Sequence, residues 1–216
     1  MAQIFPKWTN NIQTYLAVLS VFLAVAAVAF IWYYFSPWYT DVGYQPLQPV
    51  AYSHRLHAGD LGIDCRYCHN FVEYSPHANI PATQTCMNCH NLILPESEKL
   101  LPVRESRSVN FPLQWIRVHK IPDYAYFNHS LHLKAGVGCA SCHDDVSRMD
   151  IVILKMPLSM SWCLDCHRHP DNHLRPPQEL TSMDWQPSAE QAANAEKVIQ
   201  EMNINPPVTD CSGCHR

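Results

Sequence analysis

Glycine is scarce in this chain, six residues in 216 against seventeen prolines, and beyond about residue 40 there are few long apolar runs. Such a sequence does not build a large side-chain core, so something else must fill the interior. Lysine and arginine form no basic stripe, which removes nucleic acid from the partner classes. The 15 basic side chains are outnumbered by 19 acidic ones, for a net charge of −4. Nor is there an alternation of strand-like and helix-like segments, so a thioredoxin-type domain is not the setting of the cysteines.

No cysteine is left over from one pattern. All ten fall into Cys-x-x-Cys pairs followed at once by histidine: Cys65, Cys68 and His69; Cys86, Cys89 and His90; Cys139, Cys142 and His143; Cys163, Cys166 and His167; Cys211, Cys214 and His215. This is the attachment signature of c-type haem, in which two thiols add across the porphyrin vinyls and the adjacent imidazole reaches the iron from one face. Zinc sites also use paired cysteines, but their histidines need not follow the second thiol directly. With 13 histidines in 216 residues, five hits in five pairs arise at random about once in a million tries. The expectation is five covalently bound haem c groups with His69, His90, His143, His167 and His215 as proximal ligands. Some 35 residues per haem, roughly, are too few to wrap each one separately. The haems must crowd together, and their apolar faces substitute for a core.

From Ile12 to Phe35 no residue is charged, and 24 helical positions extend about 36 Å, more than the hydrocarbon thickness of about 30 Å. Phe5 and Trp8 precede this stretch and Trp32, Tyr33, Tyr34, Phe35, Trp38 and Tyr39 end or follow it, as at two headgroup boundaries. A cleaved leader has an apolar region of only about 7–15 residues, so a retained transmembrane anchor is expected. Cysteine-bound haem is assembled outside the cytoplasm, which puts the N-terminus in the cytoplasm and everything from about Asp41 in the periplasm or its equivalent. Ser20, Ala24 and Ala27 form a small-residue stripe, a weak pointer to a helical membrane partner.

The remainder repeats itself. Tyr52-Ser-His54-Arg-Leu-His57 precedes the first two motifs and Phe127-Asn-His129-Ser-Leu-His132 the next two; Pro81-Ala-Thr-Gln-Thr leads into Cys86 as Pro157-Leu-Ser-Met-Ser-Trp leads into Cys163. The expected plan is an anchor at 1–40, a two-haem module at 41–94, a polar connector at 95–118, a second two-haem module at 119–170, and a C-terminal helix with the fifth haem at 171–216. The fold class is a multihaem cytochrome c: one N-terminal transmembrane helix plus a mostly irregular, short-helix domain packed around five haems. Ser188 to Gln191 reads as a capping box opening a helix to about Met202. Ile151–Leu154 reads equally as a short strand or a buried loop.

Low-spin haems need a second axial ligand, histidine or methionine, and eight histidines lie outside the motifs. His54 and His57, like His129 and His132, are three apart, so each pair can serve two irons. These four match the four module haems. For the fifth, His119 comes first, with Met160 and Met156 behind it and His77, His169 and His173 last. Arg66, Arg117, Arg148, Arg168 and Arg216 either pair with haem propionates or are solvated.

The anchor, the five motifs and the phrases Ser53-His54-Arg55-Leu56-His57, Pro122-Asp-Tyr-Ala-Tyr-Phe-Asn-His129 and Trp162-Cys163-Leu-Asp-Cys166-His167-Arg168 resemble the pentahaem c-type cytochrome subunit of alternative complex III. More distantly the chain is similar to multihaem cytochromes of the c3/c7 type. The resemblance implies an electron relay from an iron–sulfur subunit to a monohaem cytochrome, with polytopic quinol-binding membrane partners and a menaquinol donor. It implies no catalytic residues in this chain. The alternative is a stand-alone membrane-anchored quinol dehydrogenase feeding a periplasmic reductase. A multihaem reductase with an open iron fits worst, because no lysine-substituted motif occurs and distal candidates outnumber irons.

Overall fold

The computed structural model describes residues 4–188, 199–200 and 207–215, and the chain divides into two compact units, Met1–Val42 and Gly43–Arg216. The expected helix from Ser188 to Met202 and the side chain of Arg216 lie outside the described residues, apart from Ser188 and the pair at 199–200.

In the first unit a short 3-10 turn, Lys7–Asn11, runs into helix α1, Ile12–Tyr34. Together they form a 28-residue span long and apolar enough to cross a membrane. Its residues are apolar on all sides and none is buried within the unit, the pattern of a helix whose solvent is lipid. Ser36, extended, precedes Pro37, which opens the one-turn helix α2, Pro37–Thr40; proline is tolerated there because the first-turn N–H groups have no intrahelical partner. Tyr39 folds back on Tyr33 and Tyr34, with ring centroids 5.5 and 4.6 Å away, an aromatic collar of the kind found at a headgroup boundary.

The second unit has no strand among its described residues. Two isolated bridges, Ala125 with His215 and Val137 with Leu174, are its only β pairings there. The segment Ile151–Leu154 is a loop, exposed at Ile151 and buried at Leu154, whose end is tied to Tyr44 and Gly43 through backbone hydrogen bonds. Each attachment motif sits on a short helix: α3, Cys65–Cys68; α4, Thr83–His90; α7, Ala140–His143; α8, Met160–Arg168; and α9, Cys211–Cys214. The two His-x-x-His segments occupy a π-type turn, Arg55–Asp60, directly after His54, and helix α6, His129–Lys134.

Side-chain cores are small, as the composition requires. Val50, Met87 and Val103 form one cluster, closed over by Leu100, Leu113 and Trp115. The stretch 95–118, read from its polarity as a divider between modules, contributes to this packing Val103 from helix α5, Leu101–Val109, and Leu100, Leu113 and Trp115 on either side of it. One face of α5 carries Val103 and Ser106 inward, and Asn110, in the left-handed region at φ 52°, stops it. Ser106 donates to the Phe111 carbonyl at 2.6 Å and meets Thr83 of α4 at 2.7 Å, which fixes α5 beside the second motif.

The two repeat units are docked reciprocally. Arg55 N–H of the first donates to the Met149 carbonyl beyond the third motif, and Ser53 Oγ donates to Asp150 at 2.7 Å. His129 and Ser130 of the second donate to the Pro76 and Ser75 carbonyls beyond the first motif. Gly59 has no side chain because the Ser147 carbonyl oxygen occupies the place a Cβ would take.

Candidate functional site

A single helical turn puts the two cysteines of each motif on one face, three residues apart, with the histidine immediately after. The His69, His143 and His215 N–H groups donate to the carbonyls of Cys65, Cys139 and Cys211 at 2.8–3.0 Å, which curls each histidine back over its first cysteine. Polar caps hold three of these turns: Asp64 accepts from Arg66 N–H, Ser159 from Trp162 N–H and Asp210 from Gly213 N–H. No two of the ten cysteines are joined as a disulfide.

Seven imidazoles are oriented the same way by backbone carbonyls. Nδ1 of His69 donates to Asn79 O at 2.6 Å, His90 to Ile93 O at 2.9 Å, His167 to Val208 O at 2.6 Å and His215 to Tyr124 O at 3.0 Å. Outside the motifs His57 donates to Ser53 O, His129 to Pro76 O and His132 to Asn128 O, all at 2.8–2.9 Å. A carbonyl only accepts, so Nδ1 carries the proton and Nε2 presents its lone pair, the tautomer a metal-binding histidine needs. The second approach to His129 Nδ1, from Ala78 N–H at 3.4 Å, is the longer of its two.

The imidazoles also face one another in pairs. His57 and His90 have ring centroids 6.2 Å apart, His132 and His167 6.1 Å, His129 and His143 6.4 Å. Two imidazoles bound through Nε2 on opposite sides of one metal, each with a bond of about 2.0–2.1 Å, hold their centroids roughly 6.3 Å apart. Below each His-x-x-His segment lies its aromatic residue. Tyr52 meets His54 at 4.8 Å and His57 at 4.5 Å; Phe127 meets His129 at 4.6 Å and His132 at 4.4 Å. The internal repeat of the sequence is thus a repeat of geometry.

His119 lies against His143, centroids 4.3 Å apart, too close for a metal between them. On sequence grounds it is the first choice for the fifth iron, but His215 sits against Tyr124 instead, at 5.8 Å. Burial holds His54 and His119 at about 4 and His143 at about 3, far below the ordinary imidazole range, so all three are neutral and their lone pairs are free. His54 Nδ1 and His119 Nε2 are buried without a hydrogen-bond partner. Among the described residues no three His, Cys, Asp or Glu side chains converge to cage a bare ion. Donors come in opposed pairs, which suits an iron whose other four positions belong to a porphyrin.

The remaining sequence candidates scatter. Met156 and His173 line a cleft of about 250 Å³ beside Ala140 and Ser141 of the third motif. His77 is held by Ser75 Oγ at its backbone N–H, and Met160 is 67% exposed at the start of α8. Of the arginines near the motifs, Arg66 is engaged by Asp64 and Glu73, and Arg148 by Asp145. The buried cation is a different one. Arg175 is 6% exposed, packs over the Gly138 backbone and the Trp185 ring, and interacts electrostatically with Cys139; its Nη1 donates to the Ser182 carbonyl, and its Nε has no partner. Only its place in the proline run Leu174-Arg-Pro-Pro177 sets it apart in the sequence.

Residues 63–216 match the family described as outer membrane cytochrome MtrC/MtrF-like, domains II/IV. The chain belongs to this family of multihaem c-type cytochromes. The match takes in all five motifs of the cytochrome and begins after its apolar helix. The cytochrome is also similar to the multihaem cytochrome c subunit of menaquinone reductase from Nitratidesulfovibrio vulgaris. The two are 28% identical over 171 residues, 69% of this chain and 80% of that protein. Family membership makes this an electron-transport protein that binds haem c covalently.

Proposed function

We propose that this cytochrome is the electron-relay subunit of a quinone-linked membrane complex, carrying one haem c on each of its five motifs and no substrate site of its own. Each bound haem supplies a one-electron ferric/ferrous couple. The imidazole pairs carry the reading: three of the irons would have both axial positions taken by side chains, leaving no place there for a substrate. In this assignment His57 is distal to the iron of His90, His132 to that of His167, and His129 to that of His143. His54 would serve the iron of His69, the module motif left without a facing imidazole. Met160, one turn before Cys163 on α8, is assigned to the fifth iron, because the α8 motif meets the last motif where His167 Nδ1 donates to Val208 O and Val208 packs on Gly213.

The similarity to a menaquinone reductase subunit supports a quinone-linked partner. The resemblance to alternative complex III refines this to quinol oxidation, with electrons arriving from an iron–sulfur subunit, then leaving to a monohaem cytochrome. Helix α1 then serves as a single-pass anchor packed on polytopic subunits, its N-terminus cytoplasmic and the haem unit periplasmic. The reduced, haem-loaded chain is expected to bind no carbon monoxide and, alone, to leave menaquinol analogues unoxidised. Stoichiometric carbon monoxide uptake, or quinol oxidation without companions, contradicts the relay reading.

A further inference from the structure

Numbering the motifs 1 to 5 along the chain, and building on the relay reading, we infer that they lie in the spatial order 2–1–3–4–5, with Cys89 of motif 2 and Cys211 of motif 5 marking the two ends at which partners exchange electrons. Each link has its own observation. Motif 2 meets motif 1 where Asn88 Nδ2 donates to the Tyr67 hydroxyl at 3.2 Å. Tyr52 lies against both His54 and His57, at 4.8 and 4.5 Å, and the His57 ring lies 6.2 Å from that of His90.

Motif 1 meets motif 3 rather than following motif 2 along the chain. A bridge of two adjacent residues supports the contact: Cys139 N–H donates to Leu180 O, and Thr181 Oγ1 donates to Asp64, the cap of the Cys65 turn, at 3.0 Å. The reciprocal docking of His129 on Pro76 and Arg55 on Met149 brings the same two motifs together. Motif 3 meets motif 4 through α6, whose His129 lies 6.4 Å from His143 and whose His132 lies 6.1 Å from His167. Motif 4 meets motif 5 where His167 Nδ1 donates to Val208 O and Val208 packs on Gly213.

Exposure marks the ends independently. Eight of the ten cysteines are partly covered, and the two exposed ones are Cys89 and Cys211. A row of five has two ends, and the order derived from the contacts puts those same two motifs there. The relay is balanced at these ends: a reduced one-electron carrier gives up an electron at one, an oxidised carrier takes one at the other, and the chain is left unchanged.

Two measurements on the haem-loaded full chain test this. Iron positions from anomalous diffraction, assigned through thioether density, are expected to give nearest neighbours 2–1, 1–3, 3–4 and 4–5. An iron of motif 2 adjacent to that of motif 3, or of motif 5 adjacent to that of motif 1, overturns the order. A bulky maleimide adduct on Leu92→Cys, at a site 87% exposed beside motif 2, or on Tyr124→Cys, 66% exposed beside His215, is expected to abolish the fast phase of electron exchange with an oxidised monohaem cytochrome c at that end. The same adduct on Arg148→Cys, 81% exposed beside motif 3, is expected to leave it in place. Equal loss from all three positions overturns the assignment of the ends. Irons in the stated order that exchange no electrons with any carrier overturn the relay reading instead.

Discussion

The rings of His57 and His90 face each other at 6.2 Å, and those of His132 and His167 at 6.1 Å in the second repeat. Each pair joins a histidine that follows a cysteine pair to one 33 or 35 residues earlier in the chain, so on the proposed assignment the second ligand is set by the fold and not by the motif. Replacing His57 with alanine is expected to leave covalent attachment intact while opening one iron. The reduced His57→Ala chain should bind one equivalent of carbon monoxide, read as a Soret shift of one haem among the set. A variant that still binds none removes His57 from the axial position.

Arg175 places a buried positive charge beside Cys139. A nearby cation disfavours the ferric state, which carries one more positive charge, relative to the ferrous state, so its field raises the reduction potential of the neighbouring haem. Replacement by glutamine is expected to lower one midpoint by tens of millivolts, roughly 40–80 mV for an interaction of about 1–2 kcal/mol. Spectroelectrochemical titration reads the shift. Arg148→Gln removes a guanidinium that is 81% exposed and already paired with Asp145, and should leave every midpoint in place.

Much of this is legible in the sequence and some of it is not. The motifs, the anchor and the repeated His-x-x-His segments follow from short local patterns, where identity and spacing carry the chemistry. His119 is a candidate for the fifth iron by elimination, yet it packs on His143, because distance along the chain says nothing about which iron a loop reaches. Arg175 and the carbonyls of Asn79, Ile93 and Val208 are invisible for the same reason: a backbone oxygen has no sequence signature. The polar stretch 95–118 hides helix α5, since Val103 supplies its buried face with little help from other apolar residues.

At Gly59 the two repeats touch closely. An alanine there meets the Ser147 backbone oxygen, and relieving the clash requires the docked segments to separate. Gly59→Ala is expected to cost about 1–3 kcal/mol, as overpacking does, seen as a lowered melting temperature of the haem-loaded chain. Because the obstacle is backbone, shrinking Ser147 to glycine should not rescue it. Rescue by Ser147→Gly contradicts this contact.

Asp64 gives an acid-side signature. Its carboxyl is held at about 2, chiefly by the hydrogen bond from Arg66, against an ordinary 3.8. The folded state therefore binds fewer protons than the unfolded one above that value. The stabilisation is complete above about pH 4 and is lost as pH falls toward 2, and it is modest because the pair is half-exposed. Asn can keep the cap without the charge. Asp64→Asn should flatten the dependence of melting temperature on pH between 4 and 2 while the wild-type chain loses stability there. Parallel profiles contradict the assignment.

The account rests on ten thioethers, and the mass of the intact chain after denaturation in reductant tests them most directly. A mass exceeding that of the polypeptide by five haem groups, with none released into acidified organic solvent, is the predicted result. A chain of bare polypeptide mass, or one carrying fewer than five haems after complete maturation, contradicts it.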